Sequence, residues 1–260
     1  MGLFKEAPYS EVIQSIIDII GCNYKVFSEK CTIDEVNQVY NEERGRGKKE
    51  GFVPVLVPCD DMLAEWFSYC DDNDKEEIKK KTNMEQRQAI IDAAGDNGEE
   101  LLQEWYNSNI AIFNGDEDEL EDFMGTMDNG GTIDSLSAFE IYREEGIQET
   151  ILFEVPVDEP WKVIAWFPIG GWNECPAPDE MITVCRYWYK KYGAFPAVIT
   201  HDVIEFYVER PVTNEEEAWE LAKEHYAFSN DRVDQCTATY TLGEVADCLI
   251  DSSVWYFWWD

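Results

Sequence analysis

Positive charge is scarce in this chain: 20 Lys and Arg stand against 55 Asp and Glu in 260 residues, a formal net charge of −35. Direct binding to a phosphate backbone needs clustered Lys and Arg. The single basic cluster is Arg44-Gly45-Arg46-Gly47-Lys48-Lys49, too little for a nucleic-acid face. Histidine is nearly absent, with only His201 and His225. These two and eight scattered cysteines, none in a C-x-x-C pair, do not make a zinc site. Asp128 to Asp134 looks like a calcium loop, but aligning Gly131 with the turn glycine puts Thr126 and Ser137 where Asp and Glu are required. No metal and no cofactor are therefore expected. No apolar run near Met1 resembles a signal peptide, and no stretch reaches membrane-spanning length. Reduced, buried thiols in a cytoplasmic protein follow as the expectation, with no membrane partner. Phosphate-binding loops, the nucleophile elbow and the kinase signatures are missing too.

What is present argues for a folded globule: 45% hydrophobic and 14% aromatic residues. The length allows one large domain or two small ones. Charge is uneven, and residues 111–160 hold 15 acidic side chains and one basic. Net charge informs solubility, steering and partner choice, not fold. The acidity either only solubilises the protein or meets a basic partner, such as the groove of a nucleic-acid enzyme. The chain ends in Val254-Trp255-Tyr256-Phe257-Trp258-Trp259-Asp260. Termini are usually polar and frayed, so this one is expected to fold back as a buried strand where the domain stops.

Ser10 caps a predicted helix with Ile13, Ile16, Ile17 and Ile20 on one face and Gly21 as its stop. Thr32 and Glu35 form a capping box for a short helix burying Val36, Val39 and Tyr40, and the glycines of Arg44–Lys49 make a loop. Phe52 to Val57 reads as a strand, with Pro54 at an edge or an end. Asp60 or Asp61 caps a helix burying Leu63, Trp66 and Phe67. Residues 74–94 and 98–113 read as helices, the second with Leu101, Leu102, Trp105 and Ile112 on a stripe. The run Asp116 to Asp122 is a solvated helix face backed by Leu120, Phe123 and Met124, and Asn129-Gly130-Gly131 is a turn.

Beyond residue 150 the pattern alternates. Ile151–Val155 and Val163–Phe167 read as strands, the second entering the turn Pro168 to Asn173. A helix starting at Asp179 carries Met181, Val184, Cys185, Trp188 and Tyr192 in register, with Lys190 and Lys191 in its last turn and Gly193 after it. Ala197–Thr200 and Val203–Val208 form a strand pair with His201-Asp202 at the tip; Ile204, Phe206 and Val208 point one way, Glu205 and Tyr207 the other. Thr213 with Glu216 and Thr241 with Glu244 are capping boxes. The expected class is α/β (α+β): a mixed central sheet flanked by helices. Residues 1–50 form a helical extension packed on a main domain, 51–260, with an acidic helical insert at about 74–148.

Several segments, taken in order, resemble a mostly bacterial family, domain of unknown function 4253. They are Gly51 to Val57 with Leu63-Ala64-Glu65-Trp66, the turn Gly170-Gly171-Trp172-Asn173-Glu174-Cys175-Pro176, Arg186-Tyr187-Trp188, Lys191-Tyr192-Gly193-Ala194, Glu217-Ala218, Glu224 to Phe228, and Trp255 to Asp260. The resemblance spans about residues 50–260. It carries no established activity; what it implies is a setting among bacterial toxin and immunity systems.

The leading expectation is a non-enzymatic protein-binding module, an immunity-like inhibitor of a basic partner. Its acidic face is Asp116, Glu117, Asp118, Glu119, Glu121 and Asp122. The alternative is an enzyme or small-ligand protein built on Gly170, Gly171, Trp172, Asn173, Glu174 and Cys175, with Arg186 and His201. There the glycines admit close backbone approach, and Trp172 to Cys175 offer stacking, hydrogen bonds and a nucleophile. The same residues also suit a rigid turn whose tryptophan plugs the core. Catalysis by Cys175 would need a base, and neither histidine adjoins it in sequence.

Overall fold

Isoleucines spaced for one helical face open the fold. In α1 (Glu11–Ile20), Ile13, Ile16, Ile17 and Ile20 are buried, Ser10 accepts from the Ile13 N–H, and Gly21 ends the helix in the left-handed region. The computed structural model describes residues 2–59, 62–65, 84–128, 130–141, 146–167 and 169–260. Asp60, Asp61, Trp66, Phe67, residues 74–83, Asn129 and Pro168 lie outside these, so the expectations that rest on them are not addressed.

Helix α2 (Ile33–Glu50) begins on the Thr32–Glu35 capping box and buries Val36, Val39 and Tyr40. It then runs through Arg44–Lys49, which corrects the predicted loop. Gly47 turns nothing there. It admits the chain that follows, since a Cβ would lie 2.3 Å from the Phe52 carbonyl oxygen. Arg46 pairs with Glu43, Glu50 and Glu154, so this member of the cluster neutralises local carboxylates.

Six strands form a mixed sheet in the order β1 (Asn23–Val26), β3 (Thr150–Val155), β2 (Val53–Pro58), β4 (Ala194–Ile199), β5 (Val203–Val208), β6 (Val254–Trp258). Strand β2 pairs antiparallel with β3 from Val53↔Val155 to Pro58↔Thr150, and parallel with β4 at Leu56↔Val198. It is therefore an interior strand. Pro54 is tolerated as its second residue, at an end and not on an edge. Residues 1–50 supply β1 as well as α1 and α2.

Helices α3 (Met84–Ala93), α4 (Gly98–Ile110) and α5 (Glu117–Met124) follow β2. In α4 the buried side chains are Leu102 and Tyr106. Ile112 leaves the predicted stripe because the chain tightens into a 3-10 turn, Ala111–Phe113, and it is 66% exposed. A second correction is Pro160–Trp166, a 3-10 helix where a strand was expected. Pro160 at its first turn favours the helical start. Trp161 and Val163 to Trp166 are all buried, so the apolar run carries no period to read.

Helix α6 (Pro178–Tyr192) starts one residue before Asp179; Glu180 reaches back to the Ala177 N–H, and Gly193 ends it. Helix α7 (Glu215–Phe228) is capped by Asn214, not Thr213. A single turn, α8 (Asp231–Asp234), precedes α9 (Leu242–Leu249). Thr241 caps α9, but Glu244 does not return the bond; its carboxylate takes the N–H groups of Ala238 and Thr239.

The chain divides into two compact units, Met1–Ala93 with Leu136–Ile169 and Phe195–Glu205, and Ala94–Ser135 with Gly170–Ala194 and Phe206–Asp260. The first has a core of α1 isoleucines with Val55, Leu56, Val57, Leu152 and Phe153. In the second, the terminal strand is buried as expected: Trp255, Phe257 and Trp259 are each at most 1% exposed. Trp188 is central, its ring 4.9 Å from Phe228, 5.4 Å from Phe257, 5.5 Å from Trp255 and 5.6 Å from Phe206. Contacts of this kind contribute about 0.5–1.5 kcal/mol each beyond area burial.

Candidate functional site

The acidic run is a solvated helix. Asp116 caps α5 by accepting from the N–H groups of Asp118 and Glu119, at 3.1 and 3.2 Å. Phe123 anchors it, 4.8 Å from Tyr226 and 5.1 Å from Phe113, and Leu120 and Met124 are half-buried behind it. Asp116, Glu117, Asp118, Glu119, Glu121 and Asp122 are all exposed. Five of the six cations of the second unit are bound elsewhere. Arg186 and Lys190 meet Asp96, Lys191 meets Glu224, Lys223 meets Glu220, Arg210 donates to the carbonyls of Tyr189 and Lys190, and Arg232 is buried. Among the described residues none of the six carboxylates joins an ion pair.

Two large exposed apolar side chains flank this helix. Ile112 precedes it, and Tyr240, 64% exposed, sits beside its far end. Gly125 caps α5 against Thr241, where a Cβ would come within 2.6 Å of the Thr241 Cβ. Tyr240 takes a left-handed backbone, φ 58°, unusual for a bulky residue. The buried Glu244 fixes that loop through Ala238, Thr239 and the Thr239 hydroxyl. Sequence reasoning placed Ile112 inside and passed over Tyr240. The Thr-rich stretch around Tyr240, with no apolar period, was the available sign.

The Gly170–Pro176 turn closes on itself. The Gly171 N–H donates to the Pro176 carbonyl at 3.0 Å, and the Cys175 N–H to that of Trp172 at 2.9 Å. Gly170 has φ +101°, and a Cβ there would lie 2.5 Å from the Pro176 oxygen. Trp172 is half-buried, and the Asn173 side-chain amide donates to the backbone carbonyl of Asp260. Asn173, Glu174 and Cys175 line a cleft of about 340 Å³ with Trp105 and Asn109 of α4, Glu180 of α6 and Phe228 of α7. Gly170, Gly171 and Trp172 shape the turn without lining that cleft.

The other candidates fall elsewhere. Arg186 donates to the Ala94 carbonyl at 2.9 Å and pairs with Asp96 at 3.1 Å, within the second unit. His201 belongs to the first unit, at the β4–β5 corner, 3.4 Å from the Asp202 carboxylate. His225 is fully buried among Trp188, Trp255 and Phe257. Neither of its nitrogens has a hydrogen-bond partner among the described residues, so no Cys175–His225 pair is formed.

A second cluster escaped sequence reasoning. Glu224 of α7 accepts from the Tyr187 hydroxyl and the Trp188 Nε1, both at 2.8 Å, and from Lys191 Nζ at 3.0 Å. Burial, then the Glu224 charge, pushes the Tyr187 hydroxyl up. Burial opposes the Lys191 charge, yet Glu224 and the tyrosines hold its pKa above the ordinary value. Tyr187 and Lys191 are four apart on one helical face, a spacing that could have revealed the pair. Because all these groups satisfy one another, the cluster clamps α6 to α7.

Among the described residues no group of three or more His, Cys, Asp or Glu is placed to hold a metal ion, and no helix is long and apolar enough to cross a membrane. The fold is a mixed six-stranded α/β sheet with flanking helices. Residues 151–260 match the family described as domain of unknown function 4253. The matched residues include the Gly170–Pro176 turn, the Glu224 clamp and β6, while α5 lies outside them. No curated protein and no solved structure matches the chain.

Proposed function

We propose that the protein is a non-enzymatic, cytoplasmic binding module that docks a basic protein partner through α5, in the manner of an immunity-like inhibitor. The observation that carries this reading is the exposed carboxylate row of α5, which joins no ion pair among the described residues and is flanked by Ile112 and Tyr240. Charges at the rim of an interface steer encounter, while buried aromatic and aliphatic anchors set its lifetime. The two roles fall to different residues here. Eight scattered cysteines with no C-x-x-C pair support a reducing compartment. The inhibitor role is supported by the family resemblance alone.

The test is partner capture from the native cell at low salt, followed by kinetics with the purified partner. The partner should be basic. Its association rate should fall roughly ten-fold between about 50 and about 500 mM salt. Converting Asp116, Glu117, Asp118 and Glu119 to their amides should slow association with little change in dissociation. Tyr240→Ser should speed dissociation instead. Wild-type rates in the four-fold amide variant would remove α5 from the interface.

A further inference from the structure

The geometry points to the cleft beside the Gly170–Pro176 turn as a receptor for an organic cation, an alkylammonium or guanidinium group. Its volume of about 340 Å³ suits a small ligand or one long side chain. Its walls combine the aromatic side chains of Trp105 and Phe228, the amides of Asn109 and Asn173, and the carboxylates of Glu174 and Glu180; among the described residues no Lys, Arg or His lines it. Glu174 uses Oε2 to accept from the Asn230 amide, and Glu180 uses Oε2 to accept from the Ala177 N–H. The Oε1 atom of each has no hydrogen-bond donor among the described residues.

The surrounding field has the same sign. Asp231 accepts from the Asp260 N–H at 3.0 Å. The Asp234 carboxyl is held above the usual range by burial, then by the charges of Asp231 and Glu174. An anion would meet this repulsion, and a cation would relieve it. A small hydrated metal ion is the poorer fit, because no cage of three ligands exists among the described residues. A weakly hydrated guanidinium or alkylammonium can instead lie against the aromatic wall while the free oxygens take its N–H groups. This reading does not rest on α5, and either proposal can fail alone.

The cation could be a free small molecule or a Lys or Arg side chain of a protein, and two arms separate these. The intact protein is titrated with ethylguanidinium and n-butylammonium chloride in one arm, and with a blocked Gly-Arg-Gly peptide in the other. Sodium chloride and sodium acetate serve as controls. The readouts are NMR shifts of the Trp105 indole and the Asn109 and Asn173 amides. Saturable shifts at those residues are expected with the cations and not with the sodium salts. Glu174→Gln and Trp105→Leu should each weaken binding about five-fold while circular dichroism stays unchanged. Tighter binding of the peptide would assign the cleft to a protein side chain, and tighter binding of the free cations to a small molecule. No saturable shift, or equal binding by Glu174→Gln, would overturn the assignment.

Discussion

Glu205 of β5 is 1% exposed, and its carboxylate accepts from the N–H groups of Ser137 and Ala138 and from the Ser137 hydroxyl, at 3.0 to 3.2 Å. Burial pushes its pKa from 4.5 up to about 7 against the pull of those donors. Between these two values the folded protein holds a proton that the unfolded chain has released. The resulting stability is fully present below about 4.5 and is lost as pH rises through about 7. Above that the loss amounts to about 3 kcal/mol. Glu205→Gln keeps one oxygen for the two N–H groups, lets its amide donate to the Ser137 hydroxyl, and carries no charge. Urea unfolding of both proteins at several values from about pH 5 to about pH 8 isolates the effect. The difference in stability should widen toward alkaline pH, in favour of Gln, by about 2 to 3 kcal/mol. Glu205→Leu leaves the donors unpaired and should lose about 1–3 kcal/mol at every pH. Parallel pH profiles for Glu and Gln would refute the reasoning.

Two further substitutions read out the buried structure. His225 is kept neutral by burial, with the Arg232 charge adding to the effect, so its pKa lies well below 6.5. The unfolded chain takes up a proton there as pH falls below about 6.5 and the folded state does not, so stability is lost on acidification. His225→Phe should remove that acid slope and gain about 1 kcal/mol at neutral pH by deleting two unpartnered nitrogens, checked by thermal unfolding at about pH 5 and about pH 7; an unchanged slope would count against it. Gly47→Ala should destabilise although Ala gains about 1 kcal/mol in a helix interior, because its Cβ would press on the Phe52 backbone. A rise in melting temperature would show that the α2–β2 corner yields.

The parts of the fold legible in the sequence were those where one local rule decided. Ser10, Thr32, Gly21 and Gly193 mark helix ends because a cap is satisfied within a few residues. The terminal aromatics declared their burial because nothing else places Trp255, Phe257 and Trp259 so close together. Tertiary contacts decided the rest. Gly45 and Gly47 looked like a loop until Phe52 was seen to need the space beside Gly47. Pro54 pointed to an edge or an end of its strand, and only the pairing of β2 on both sides decided for the end. At the candidate site, Asn173, Glu174 and Cys175 were legible as a turn. Their partners Trp105, Asn109 and Phe228 come from other elements of the chain, and no local pattern joins them.

How this chain distributes its carboxylates bears on whether α5 serves solubility alone. Glu205, Glu224 and Glu244 are taken inward, each by several N–H or O–H donors. Apart from Asp116, the α5 row has no such role. Asp116 caps the helix, and Glu117, Asp118 and Glu119 stand in its first turn, where the helix dipole favours negative charge. Glu121 and Asp122 lie in the second half of an eight-residue helix, toward the pole that disfavours them. They add self-repulsion and no helix stability. Solubility requires only net charge, which 55 acidic residues supply wherever they stand. It does not call for carboxylates against the dipole, between two exposed apolar side chains. The basic partner proposed above would turn the same repulsion into attraction.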